Sequence, residues 1–183
     1  AKQLLNENII MESLTFYENQ FIKADSLITE GNIADGKEML EEILSQYPDF
    51  GKAHNHLGWI YYNKLSNYDK GIYHYELAMK FEPKYPAPYL NYTYLLIDIG
   101  RYAEAKEHID FTFKNLENVD HSSFNSELGR MAEYENRYIE AYNFYKLAIK
   151  NALNPNFIDN MNANMKRVKD KMSIFERLKL KLN

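Results

Sequence analysis

Apolar residues recur along the chain at three- and four-residue intervals, as in Met39, Leu40, Ile43 and Leu44, or in Ile139, Tyr142, Tyr145, Ala148 and Ile149. That period marks amphipathic helices with one apolar stripe each. No stretch alternates with the period of two that a half-buried strand would show. Breakers separate the helical runs. Gly31-Asn32, Ser66-Asn67, Gly100 and Asn136 fall between paired helices, while Pro48, Pro83, Pro86, Pro88 and Pro155 lie between or after the pairs. The pattern predicts helix, short turn, helix throughout.

The helical pairs are also copies of one another. Segments 32–48, 67–83, 101–117 and 137–153 align with a step of 34 to 36 residues. Ile33, Tyr68, Tyr102 and Tyr138 share one column. Gly36, Gly71, Ala105 and Ala141 share the next, where a small side chain lets two helices approach, and Leu40, Tyr75, Ile109 and Tyr145 share a bulky one. A small-then-large alternation is a packing rule, and a repeat of this size means stacked supersecondary units. The upstream halves repeat too: 56–62 lines up with 91–97, with 126–134 and, more loosely, with 21–28.

These columns resemble the tetratricopeptide repeat (TPR) family. Leu57, Gly58, Tyr61, Gly71, Tyr75, Ala78 and Pro83 carry the resemblance in the second unit, and Leu128, Gly129, Ala141, Tyr145 and Ala148 in the fourth. Ser66 or a neighbour is an insertion in the turn of unit two. The resemblance covers 17–155 and implies an all-α fold, a right-handed TPR solenoid of four repeats at 17–50, 51–85, 86–119 and 122–155. Residues 1–16 then extend the first helix, and 156–183 form a capping helix and a basic amphipathic tail. Residues 1–29 contain no Gly or Pro, so the first helix should outlast its counterparts. The seam Ile158, Met161, Met165, Val168, Met172 and Phe175 predicts a helix from about Asn156 that covers the apolar edge of the last repeat. Beyond it Ile174, Phe175, Leu178 and Leu182 continue an apolar stripe among Arg177, Lys179 and Lys181.

Composition narrows the class. With 183 residues, 45% hydrophobic and 26% charged, one extended domain is expected. There are no cysteines, which rules out disulfides and thiolate metal sites. Neither a membrane-spanning apolar run nor a signal peptide is visible, which favours a soluble, cytoplasmic protein. The chain nevertheless starts at Ala1, so an upstream segment stays open. Residues 1–155 hold 15 Lys/Arg against 23 Asp/Glu, whereas 156–183 hold 7 against 3. An acidic body argues against nucleic acid, whose phosphates demand a basic surface. The basic tail is read as a solvated helix face and is the one part suited to a membrane contact or a homodimer.

Catalytic constellations are missing from the sequence: no Gly-rich phosphate loop, no Gly-x-Ser-x-Gly and no His-Glu-x-x-His. His54 and His56 are the only close histidine pair, yet residues two apart on a helix face different ways and cannot ligate one ion. Neither enzyme activity, a cofactor nor a metal is expected. Tyr61, Tyr68, Tyr75, Tyr102, Tyr138 and Tyr145 are read as core. What the TPR resemblance implies instead is a concave peptide-binding groove on the first helix of each unit. Its expected members are Phe21, Asp25 and Ile28, then Asn55, Trp59, Tyr62 and Asn63, then Leu90, Tyr94, Ile97 and Asp98, then Ser126, Arg130, Glu133 and Tyr134. The carboxylate clamp of heat-shock cochaperones is a set of Lys, Asn, Asn, Lys and Arg on three successive first helices; here those places carry Phe21 and Asp25, a tyrosine or Asn91, then Ser123 and Glu127, or, shifted one unit, begin with Asn55 and Trp59, so the cations are missing and that partner is disfavoured. The expected function is a non-catalytic scaffold binding a protein or peptide. The alternative is a structural assembly or secretion-chaperone-like protein that self-associates through its terminal helices.

Overall fold

The computed structural model describes the backbone of residues 2–150 and 152–182 and the side chains of 15–150 and 152–182. Among the described residues every regular element is a helix: α1 (Lys2–Thr29), α2 (Ile33–Gln46), α3 (Gly51–Asn63), α4 (Tyr68–Phe81), α5 (Ala87–Asp98), α6 (Tyr102–Asn115), α7 (His121–Tyr134), α8 (Tyr138–Ile149), α9 (Pro155–Lys171) and α10 (Ile174–Leu182). Helix α1 is indeed the longest, and the segment expected as its extension, 1–16, is helical from Lys2 onward.

The turns inside the helical pairs share one device. Gly31, Ser66, Gly100 and Asn136 each adopt a left-handed backbone, with φ of 93°, 50°, 77° and 59°. In three of them the next amide reaches back five residues, from Asn32 to Leu27, from Arg101 to Leu96 and from Arg137 to Ala132, each at 2.8 Å. This is the Schellman closure, which satisfies carbonyls that the helix end leaves open. In the second pair Asn67 reaches back six residues to Tyr61 at 2.8 Å, the extra residue being the insertion read from the sequence. Asn67 then caps α4 by accepting from the Lys70 amide.

The chain forms two compact units, residues 1–92 and 93–183, divided within α5. In a repeat chain each hairpin packs on its sequence neighbours, so cohesion is local. The core of the first unit joins α1, α2 and α3 through Ala24, Ile28, Leu40, Ile43, Phe50, Ala53, Leu57, Ile60 and Tyr61. The second unit's core joins α7, α8 and α9 through Ala132, Ala141, Tyr145, Ala148, Met161 and Val168. The bulky column Leu40, Tyr75, Ile109 and Tyr145 is buried throughout, as are Gly36, Gly71, Ala105 and Ala141. Tyr68 departs from the expectation of a core tyrosine. It is 44% exposed, because its column borders the turn, and it packs its ring on Tyr62 instead.

The C-terminal cap starts one residue earlier than expected, at Pro155, with Asn154 accepting from the amides of Asn156 and Phe157. Met161, Val168 and Met172 are buried as the seam predicts, but Phe175 is not. The helix ends at Lys171, and Ser173 opens a new one. The Ser173 hydroxyl accepts from the Glu176 amide at 3.3 Å, while the Glu176 carboxylate accepts from the Ser173 amide at 2.8 Å. This capping box redirects the chain, so the apolar period that runs through 172–175 does not belong to one helix.

Candidate functional site

In the first unit, a cleft of about 520 Å³ opens between α1, the start of α2 and α3. Asp25, Ile28, Asn55 and Trp59, four of the residues expected in the groove, line it. Helix periodicity explains the grouping: Asn55 and Trp59 lie four apart on α3, and Asp25 and Ile28 three apart on α1, so each pair shares a face. Trp59 is half-buried, and the Lys64 ammonium lies 5.1 Å from its ring centroid. Phe21 stands beside this group, its ring meeting that of His56 edge-on at 4.8 Å.

Of the six other lining residues, none expected in the groove, His56, Asn91 and Lys64 bring polar chemistry to it. His56 Nε2 contacts the Asp25 carboxylate at 2.9 Å, and its Nδ1 contacts the Lys52 carbonyl at 3.0 Å. Asn91 donates to the Asn55 side-chain oxygen at 3.0 Å, and Asn55 in turn donates to the Tyr85 hydroxyl at 3.4 Å. Lys64 sits past the end of α3. His56 and Asn91 occupy the same repeat position, one residue before the Leu57 column, and Glu127 occupies it in the fourth repeat. That shared polar column was the signal in the sequence.

Other expected groove residues lie elsewhere. Tyr62 packs toward Tyr68, with ring centroids 6.3 Å apart, and Asn63 donates to the Trp59 carbonyl at 3.2 Å, which closes the end of α3. Leu90 is half-buried and does not line the cleft. Ile97, expected on the groove surface, is buried instead. An aliphatic side chain gains by leaving water, and nothing polar on it resists that.

In the second unit Asp98, Arg130 and Glu133 belong to two ion-pair groups. Arg130 donates to Glu127 at 2.8 Å and also pairs with Asp98. Burial pushes the Glu127 carboxyl upward, against the pull of the Arg130 guanidinium. Burial likewise raises the half-buried Tyr94 hydroxyl, which is engaged with Ser123. Tyr134 is exposed and stacks on Tyr102 at 6.1 Å. Glu133 accepts from Arg167 at 2.7 Å and from Lys171 at 2.8 Å, both on α9, and from the Tyr145 hydroxyl at 3.0 Å. Hydrogen bonds from Arg167 hold its carboxyl down to about 2. A second hollow, of about 370 Å³, is lined by Ser126, Arg130, Glu133 and Tyr134 on one side and by Asn164 and Arg167 of the cap on the other. The cap therefore faces four of the residues that the TPR resemblance led us to expect in the groove.

His54 faces away from the cleft. Its Nε2 donates to the Pro48 carbonyl at 2.9 Å, which leaves Nδ1 to accept from Nδ1 of His74 at 2.9 Å. Burial, then the neighbouring His54, lowers the His74 imidazole to about 4. No group of three or more metal-ligating side chains occurs among the described residues. No helix of the described residues is long and apolar enough to cross a membrane.

Neither a protein-family model nor a curated protein sequence matches the chain. Solved structures do. PilF of Pseudomonas aeruginosa superposes with a TM-score of 0.73 at 16% identity, over 85% of this chain and 68% of that one. A thermophilic TPR protein of Thermus thermophilus gives 0.66 at 14% identity, over 90% and 94% of the two chains. A tetratricopeptide repeat protein of Parabacteroides merdae gives 0.66 at 15%, over 88% and 61%. Helical pairs at this repeat length, small-against-large packing inside each pair and these superpositions agree: the chain has the all-α helical-repeat fold of tetratricopeptide-repeat proteins.

Proposed function

We propose that the chain is a non-catalytic protein–protein interaction module that holds a peptide segment of its partner in the cleft of the first unit. The observation that carries this reading is the cleft around Trp59. Its volume suits one or two side chains of a peptide. The indole face supplies an apolar anchor of the kind that dominates interface energetics. Asn55 and Asn91, already joined to each other, retain amide capacity for a peptide backbone. Asp25 with His56 on one rim and Lys64 on another add charges that select register and orientation.

The test is a selection of displayed peptides on the intact chain, followed by fluorescence titration. Trp59 is the chain's single tryptophan and therefore reports on the cleft directly. Binding should shift its emission and shield it from a soluble quencher. Trp59→Ala should weaken the selected peptides by about 2 kcal/mol or more, as for an aromatic hot spot, with helicity unchanged. Peptides that bind the parent and the Trp59→Ala variant equally would refute the cleft as the site.

A further inference from the structure

We infer that helix α10 and the adjoining edge of α8 form a docking surface for an anionic lipid bilayer. Helix α10 has no buried residue, and its large apolar side chains point outward: Ile174 is 77% exposed, Phe175 84% and Leu182 86%, with Leu178 at about half. At 3.6 residues per turn these four fall within a sector of about 100°. Lys179 borders that sector on one side and Lys181 on the other, and among the described residues neither has a carboxylate partner. Leu180 lies on the opposite side, half-buried, and lines a hollow with Tyr142 and Lys146 of α8, so the helix is seated with its apolar stripe facing out. The Arg177 guanidinium fixes the bend behind it by donating to the carbonyls of Met172 at 3.2 Å and Asp170 at 3.0 Å. Lys146 also lines a neighbouring apolar hollow with Leu147 and Lys150, which extends the same mixture of exposed aliphatic and ammonium groups onto α8.

Charge decides the occupant. A second copy laid stripe to stripe would bring lysine-flanked edges against each other, and like charges opposite one another oppose association. A bilayer with anionic headgroups accepts both features at once. The apolar stripe enters the acyl boundary, while the lysines reach the headgroups through their flexible stems. Nothing in this proposal involves the Trp59 cleft.

The experiment is co-sedimentation of the intact chain with vesicles of phosphatidylcholine alone, or of phosphatidylcholine and phosphatidylglycerol at about 7:3. The chain should bind the mixed vesicles and not the neutral ones, and added salt should weaken binding. Phe175→Ser should lower the partition coefficient at least about tenfold, and Lys179→Gln and Lys181→Gln about fivefold each. These side chains are exposed, so the variants should melt like the parent, which separates loss of docking from loss of fold. Trp59→Ala should bind vesicles as the parent does. Equal partition into neutral and anionic vesicles, full binding by Phe175→Ser, or loss of binding in Trp59→Ala would each overturn the proposal. So would a dimer in sedimentation velocity that Phe175→Ser abolishes, with no binding to mixed vesicles.

Discussion

The ring of Tyr145 lies against Gly129 so closely that a Cβ at position 129 would come within 2.6 Å of it, and two repeats earlier Tyr75 sits on Gly58 in the same way, at 2.7 Å. The two columns trade volume. Where the first is glycine the second is tyrosine, and where Thr93 stands in the glycine column the bulky column holds Ile109. Both members of that third pair are also fully buried.

Gly129→Ala should therefore destabilise the second unit. The new methyl meets the body of a buried aromatic ring, not a flexible tip, so the ring or a helix must move at a cost of about 1–3 kcal/mol. Helix propensity offsets about 1 kcal/mol of that in alanine's favour. Denaturant titration checks the sign, and an alanine variant as stable as the parent would contradict the contact.

The two tyrosines predict opposite responses to loss of the hydroxyl. Among the described residues Tyr75 buries its hydroxyl with no hydrogen-bond partner, whereas that of Tyr145 donates to Glu133 at 3.0 Å. Tyr75→Phe should leave stability unchanged or raise it by about 1 kcal/mol, since it removes an unsatisfied polar group. Tyr145→Phe should cost about 1–2 kcal/mol, because a charged acceptor loses a donor. Melting curves of the two variants, measured side by side, decide it.

Stability should fall on acidification in two windows. The folded His74 holds off protonation until about 4, against 6.5 for the free group, so the unfolded chain binds more protons between those values. Its contribution is lost as the pH drops through that range. His54 shares the contact, and Glu41, Lys37 and Lys70 add smaller electrostatic effects. Glu133 acts lower, since its folded value of about 2 lies beneath the ordinary 4.5 and its contribution disappears between the two. His74→Gln should flatten the slope of unfolding free energy in the first window and leave the second. A slope that Gln does not alter would remove the histidine pair from the account.

Truncation separates the cap from the tail. Ending the chain at Leu153 removes Met161 and Val168 from the second core and takes Arg167 and Lys171 from the nearly buried Glu133. Several kcal/mol should be lost, at about 25 cal/mol per Å² of apolar surface uncovered and with a buried carboxylate stripped of its cations. Ending it at Met172 removes a helix with no buried residue and should change unfolding by no more than about 0.5 kcal/mol. Calorimetry on both truncations tests the division.

The sequence by itself determined the helical pairs, their number, the turn positions and the buried columns. Each depends on local chemistry repeated along the chain. Gly31, Gly100 and Asn136 tolerate the left-handed turn, and residues three and four apart share a helix face whatever lies beyond it. The Ser173–Glu176 capping box was also legible, since its spacing is local, but the apolar period running across it masked the break. What only the tertiary structure decided is which polar residues meet one another. Asn55, Asn91, His56 and Asp25 converge on Trp59 because α1, α3 and the start of α5 approach one another, whereas Glu133, from an equivalent helix, is taken by Arg167 and Lys171 of the cap. Such pairings join residues more than thirty positions apart, and their energy depends on distance and burial. Periodicity along the chain carries neither.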